Sequence, residues 1–226
     1  MANQASATYP GRSLIWARFK NVGSPTEGNN LGWGTGGGFT ASTNSNVNLF
    51  APATEARVAG TSTFIQTSAL ADTYQVTGSI VCLVAPKTIT EAALFDTTTL
   101  SPTTTISNSL AVGTSVITIG SATGFPTTNN FYVQVGNETV LVTAGQNTTT
   151  VTVVRGQLLS SAGSQASGTP WTLGGDGLAR TTATLGGQTA AVGAVQGGNI
   201  FCHADFAGIA LSINDSINFT FSDQLT

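Results

Sequence analysis

The sequence predicts an all-β protein: a β-sandwich or jelly-roll-like host domain carrying an inserted small β-barrel or β-sandwich. Three observations predict it. Short apolar runs ending in Asp, Asn or Gly recur along the chain, and no stretch shows a helical repeat of convincing length. Only 8% of the 226 residues are charged while 40% are hydrophobic. Ordinary soluble proteins carry roughly a quarter charged residues, so Thr, Ser, Asn and Gly must supply the surface here, as strands with one polar face do. Third, residues 88–96 and 197–221 read as neighbouring strands of one domain, and what lies between them has a complete strand-and-turn pattern of its own. Insertions are tolerated at exposed loop tips, so the insert is expected to project outward.

Residues 1–12 are polar and end in the turn signal Tyr9-Pro10-Gly11-Arg12. They are expected to form an extended arm that contacts a neighbouring subunit through Tyr9, Pro10 and Arg12, with Pro10 fixing the backbone angle. Residues 13–19 form the first strand candidate, with Leu14, Trp16 and Ala17 as its apolar members. The Gly/Asn-rich stretch 21–48 contains Leu31-Gly32-Trp33-Gly34-Thr35-Gly36. A phosphate-binding loop would need a Lys after the glycines and a strand-then-helix context, and neither is present. Trp33 is instead expected to anchor the core, with the glycines letting the backbone pass closely around it. Residues 55–60, 61–67 and 72–84 supply further strands. At the C-terminus Ile217, Phe219 and Phe221 alternate with Asn218, Thr220 and Ser222, the pattern of a sheet with one buried and one wet face.

The host domain thus comprises 13–99 and 197–226, the insert 100–173, and a Gly/Ala-rich segment, 174–196, returns the chain to the host. Within the insert a Thr-rich lead precedes strands at 115–119, 131–135, 138–143 and 148–155, and 169–173 closes the unit. Gly136-Asn137 between the second and third is a two-residue hairpin signal. A unit of this size lies near the lower limit for independent folding.

The composition excludes several functions. Net charge is −3, and two Lys and five Arg are scattered singly, so no cationic stripe exists for nucleic acid. No run of about 18 apolar residues spans a bilayer, and no membrane partner is expected. No signal peptide is visible at the start, and the four Asn-x-Ser/Thr sequons at Asn137, Asn147, Asn214 and Asn218 are expected by chance in a chain so rich in Asn and Thr. So few charges also weaken repulsion between copies, which suits a subunit packed in an assembly.

Candidate chemistry is sparse. The one histidine, His203, shares a strand face with Asp205, an orienting pair of the kind a nucleophilic triad uses. No Gly-x-Ser-x-Gly elbow accompanies it, so no catalytic residue is expected. One His with Cys82 and Cys202 does not make a tetrahedral zinc site. Asn214-Asp215-Ser216 and Gly174-Gly175-Asp176 read as turns, not calcium loops. No metal and no cofactor are expected. Cys82 and Cys202 are either small buried hydrophobes or a disulfide between neighbouring strands. Glu55 with Arg57 reads as an ion pair fixing strand register, and Glu91 as a structural charge. In the insert, Tyr132 and Trp171 are the aromatic candidates for a surface that binds a ligand.

The runs Gly32-Trp33-Gly34-Thr35-Gly36, 55–60, 72–78, Ile89-Thr90-Glu91-Ala92-Ala93-Leu94-Phe95-Asp96 and 208–217 resemble a family of tailed-bacteriophage virion proteins. Ala93 stands where relatives carry Gly. The insert separately resembles a small β-module of phage structural proteins, through Ser121-Ala122-Thr123-Gly124-Phe125-Pro126, 138–144 and Val154-Arg155-Gly156; the usual His-containing tail after that Arg-Gly is absent. The resemblance implies a non-enzymatic structural subunit on the outside of the particle, made in the bacterial cytoplasm. It would be a capsid decoration, cement or head-fibre protein, partnered by the major capsid protein and by its own copies, a homotrimer being favoured. The alternative is a tail, neck or baseplate subunit whose insert binds host-surface glycans through Tyr132 and Trp171.

Overall fold

The computed structural model describes residues 6–8, 10–12, 27–36, 45–68, 73–175, 183–185, 188–190 and 197–224. The strand expected at 13–19 and the arm residue Tyr9 lie outside them. The chain is all-β. The host has two sheets. The first runs β1 (Ser6–Ala7), β15 (Ile200–Leu211), β6 (Lys87–Phe95), β2 (Asn30–Gly34), β3 (Val58–Ala59) in spatial order. The second runs β16 (Ser216–Gln224), β5 (Thr73–Val81), β4 (Thr61–Ile65).

Strand periodicity explains which residues meet between them. Leu31 and Trp33 of β2, Leu94 of β6 and Cys202 of β15 face Val76 and Ile80 of β5 and Phe221 of β16 in one core. Each fully buried Leu, Ile or Phe contributes about 1.5–3 kcal/mol. Ile217 and Phe219 pack against the same core, while Asn218, Thr220 and Ser222 are exposed, as the alternation predicts. Phe219 meets Trp33 edge-on with ring centroids 6.4 Å apart. Cys82 and Cys202 are free thiols buried in this core, and burial pushes the Cys202 thiol up. They act as small hydrophobes.

The insert is a six-stranded sheet. Its strands are β7 (Thr103–Thr105), β8 (Val116–Thr118), β9 (Phe131–Val135), β10 (Glu138–Ala144), β11 (Thr150–Val154) and β12 (Pro170–Leu173), in the spatial order β7-β12-β9-β10-β11-β8. The sheet curls until its outer strands meet, where Ile106 bridges Ile119 and the Gly120 N–H donates to the Thr105 carbonyl at 2.9 Å. Val133, Val135, Val140, Val142, Val151 and Trp171 fill the inside. The β9–β10 turn has positive φ at Gly136 (55°) and not at Asn137, the type II′ pattern that matches strand twist. In the return segment β13 (Ala183–Leu185) pairs with β14 (Gln188–Ala190).

The insert leaves and rejoins the host between paired strands. Phe95 at the end of β6 pairs with Ile200 at the start of β15. Just beyond, the Asp96 carboxylate accepts the Asn199 backbone N–H at 2.7 Å and its side-chain amide at 2.9 Å. The flanking strands are neighbours, as the sequence predicts.

The insert does not simply project. Residues 45–53 form a strap between the outer face of the first host sheet and the outer face of the insert. Toward the host, Leu49 packs with Ala93, Phe95 and Ile200. Toward the insert, Val47 packs with Tyr132 and Leu141, the Val47 N–H donates to Gln134 Oε1 at 3.0 Å, and the Thr139 hydroxyl donates to the Ser45 carbonyl at 2.5 Å. Asn48 donates to the Leu173 carbonyl at 2.7 Å and the Ser101 hydroxyl at 2.6 Å. Deleting residues 100–196 would therefore strip the strap of Ser101, Tyr132, Gln134, Thr139, Leu141 and Leu173.

The arm is held by its own chain. Ser6 and Ala7 pair with His203 and Cys202, and the Thr8 N–H and hydroxyl donate to the carbonyls of Phe201 (3.1 Å) and Ile200 (2.6 Å). A Cβ on Gly11 would lie 2.1 Å from the Phe201 carbonyl oxygen, so only glycine fits there. Pro10 is buried and Arg12 is exposed beside Asp223, whose carboxyl burial raises and Arg12 lowers, for a net rise. The tie for the described arm residues, 6–8 and 10–12, is intramolecular.

Candidate functional site

Register brings three titratable side chains together on the outer face of the first host sheet. Asp205 of β15 lies opposite Glu91 of β6, and His203 opposite Ala93. Residues directly opposite in antiparallel strands share a face, so Glu91, His203 and Asp205 converge. His203 Nε2 is 3.2 Å from Glu91 Oε2 and 3.6 Å from Asp205 Oδ1. On its other side the ring's Nδ1 is 2.9 Å from the Asn46 amide nitrogen. With that nitrogen donating, Nδ1 accepts and Nε2–H donates to Glu91. Glu91 and His203 are fully buried, and only the Asp205 side chain, 18% exposed, reaches solvent.

The glycines of β2 create the room for this carboxylate. Leu31 and Trp33 point into the core, leaving Asn30, Gly32 and Gly34 on the opposite face, where Gly34 pairs with Glu91. A Cβ on Gly34 would stand 2.3 Å from Glu91 Oε1, and one on Gly36 2.8 Å from it. Glu91 Oε1 accepts the N–H groups of Gly36 (3.2 Å) and Ala51 (2.9 Å), and Oε2 accepts that of Phe50 (2.9 Å). The glycine run cradles an anion, and the anion is the protein's own. Neither the link of His203 to Asn46 nor that to Glu91, 112 residues away, was visible in sequence spacing.

The other charges hold segments together in the same way. Glu55 and Arg57 do not pair with each other. Glu55 pairs with Lys87 and accepts from Trp33 Nε1 (3.4 Å) and the N–H groups of Leu83 and Val84 (both 3.3 Å). Burial raises its carboxyl, and the hydrogen bonds from Lys87 and the backbone outweigh this, leaving it below the ordinary value. Arg57 sits 3.4 Å over the Phe95 ring. It donates to the carbonyls of Gly197 (2.5 Å), Thr99 (2.8 Å) and Thr97 (3.3 Å) and to the Ser101 hydroxyl (3.3 Å). It thereby binds both chain crossings between host and insert. Burial pushes its guanidinium down to about 9, still charged at neutral pH. In the insert Arg155 grips Glu138 through Nε (2.7 Å) and Nη2 (2.5 Å) and donates to the carbonyls of Ala111, Thr114 and Gly163. The Val154-Arg155-Gly156 and Glu138 marks of the insert are thus one buried bidentate pair that organises its loops.

Tyr132 and Trp171 are not a binding surface. Trp171 is 0% exposed in the insert's core and Tyr132 6% exposed under the strap. The alternation in Phe131-Tyr132-Val133-Gln134-Val135 is real, but the strap covers the face that sequence alone assigns to water, so every residue of β9 is buried.

No protein-family model matches the chain, and comparison with curated proteins and with solved structures returns no match.

Proposed function

We propose that this chain is a non-enzymatic structural subunit of a tailed-bacteriophage virion, carried on the capsid exterior as a decoration, cement or head-fibre protein. The observation that supports it best is the use of its charged side chains. In a chain with so few, Glu55, Arg57, Glu91 and Glu138 are all buried and each is bonded to the backbone of a distant segment. Such a chain spends its polar chemistry on internal cross-links, as a load-carrying part does. His203, the one histidine of the chain, is buried with Asn46 on one ring nitrogen and Glu91 on the other.

An apolar tip supports contact with other subunits. The turns at 82–85 and 212–215 are joined by Asn214 N–H to Cys82 carbonyl and Cys82 N–H to Asp215 carbonyl bonds. They carry Leu83 at 64%, Val84 at 62% and Ile213 at 48% exposure. Exposed apolar groups gathered at one end suit a protein interface, with the major capsid protein or with further copies, a trimer being favoured. The glycan-binding alternative loses its aromatic residues to burial. Immunogold electron microscopy of intact particles with antibody against the insert tests the proposal. Label spread over the head is expected; label confined to the tail tip or baseplate overturns the capsid assignment.

A further inference from the structure

We propose that Glu91, His203 and Asp205 form a binding site for a divalent transition-metal ion of the zinc type. The proposal is independent of the virion reading. The three ligand atoms lie within 4.8 Å of one another. A tetrahedral metal with bonds of about 2.0–2.2 Å spaces its ligand atoms about 3.3–3.6 Å apart. His203 Nε2 stands 3.2 Å from Glu91 Oε2 and 3.6 Å from Asp205 Oδ1, so two of the three spacings already match, and the two carboxylates, within 4.8 Å of each other, need only close on the ion. One imidazole with carboxylate oxygens is a donor set that zinc accepts. Sequence spacing excluded zinc because it offered only Cys82 and Cys202 beside the histidine; β6 supplies the missing ligand.

The surroundings match what a metal site requires beyond its ligands. A ligating histidine holds its orientation through its other ring nitrogen, and Asn46 stands 2.9 Å from Nδ1. With Nε2 on the ion, the ring's remaining proton sits on Nδ1, and the Asn46 amide turns to present its oxygen to that N–H; any second ring proton passes to solvent. Glu91 is fixed by three backbone N–H groups, two on Oε1 and one on Oε2, so Oε2 keeps a lone pair toward His203. Asp205 alone reaches solvent, at 18% exposure, and gives the entry path and a place for a water as fourth ligand. An ion here ties β6 to β15 and, through Glu91, to the strap at Phe50 and Ala51.

The full chain, stripped with chelator, is incubated with zinc chloride and desalted. Bound zinc is then counted by inductively coupled plasma mass spectrometry, and melting is followed by circular dichroism. About one zinc per chain and a raised melting temperature are expected. Asp205→Asn, at the most exposed ligand, is expected to stay folded and lose both. Asn46→Ala, on the far side of the ring from the carboxylates, is expected to weaken zinc about 10–100-fold. The chain has one histidine, so zinc retained by His203→Gln at the wild-type level would mark binding elsewhere and overturn the proposal. Wild-type protein that retains no zinc and melts unchanged overturns it equally. If His203→Gln fails to fold, Asp205→Asn decides alone.

Discussion

Replacing Arg57 by Ala should loosen the join between host and insert. The guanidinium makes two short hydrogen bonds, to Gly197 (2.5 Å) and Thr99 (2.8 Å), and two longer ones at 3.3 Å. Hydrogen bonds to a charged group are each worth about 1.5–3 kcal/mol, so the two short ones amount to about 3–6 kcal/mol. Truncation also removes the cation from the Phe95 ring, worth up to about 2 kcal/mol when desolvated. Against these stands relief from keeping a buried charge out of water, several kcal/mol per ion. The balance is a loss of about 3 kcal/mol, against a typical total of about 5–15 kcal/mol. Urea titration reads it as a lower midpoint at unchanged slope, and limited proteolysis should cut at 97–101 in the variant first. Arg57→Lys keeps the charge without the fork that spans both crossings, and should lose roughly half as much by the same hydrogen-bond scale. A loss below about 1 kcal/mol for Arg57→Ala, less than a single charged hydrogen bond, would refute the reasoning, as would Arg57→Lys matching the wild type.

Three further outcomes are expected. Gly34→Ala puts a Cβ 2.3 Å from Glu91 Oε1 and 2.7 Å from the Ala51 carbonyl oxygen, and should lower stability by about 3 kcal/mol in urea titration. Gly32→Ala, whose nearest contact is 3.0 Å to the Phe95 ring, should cost less. Trp171 Nε1 is buried without a hydrogen-bond partner, a state that costs about 1–3 kcal/mol. Trp171→Phe, which removes that N–H, should therefore shift the melting temperature by no more than about 4 °C, unlike most large-to-small core changes. The folded Glu55 carboxyl titrates below its ordinary value of 4.5, so its contribution to stability is complete above that pH and is lost as pH falls through the depressed folded value. Glu55→Gln should flatten the acid limb of the stability–pH curve.

Where a strand met an ordinary core, its role was legible in the sequence. Ile217, Phe219 and Phe221 alternate and are turned inward, and Gly136-Asn137 makes the tight hairpin expected of it. One error traces to the strap. Tyr132 sits on the face of β9 that periodicity assigns to solvent, and residues 45–49, distant in sequence, bury it. The pairing of Glu55 with Arg57 failed because both precede β3 in irregular backbone, where neighbours in sequence need not share a face. His203 and Asp205 were correctly placed on one face. Their meeting with Glu91 depended on the register of β15 against β6, which shifts between Ile200 and Cys202 and again between Asp205 and Ile209, and bulges of that kind leave little trace in composition.

The most direct test of a structural role on the capsid is a count of this chain in purified particles, by quantitative mass spectrometry against a major capsid protein of known copy number. Hundreds of copies per particle are expected. A dozen or fewer would move the protein to the tail or neck, and its absence from purified particles would contradict a virion role altogether.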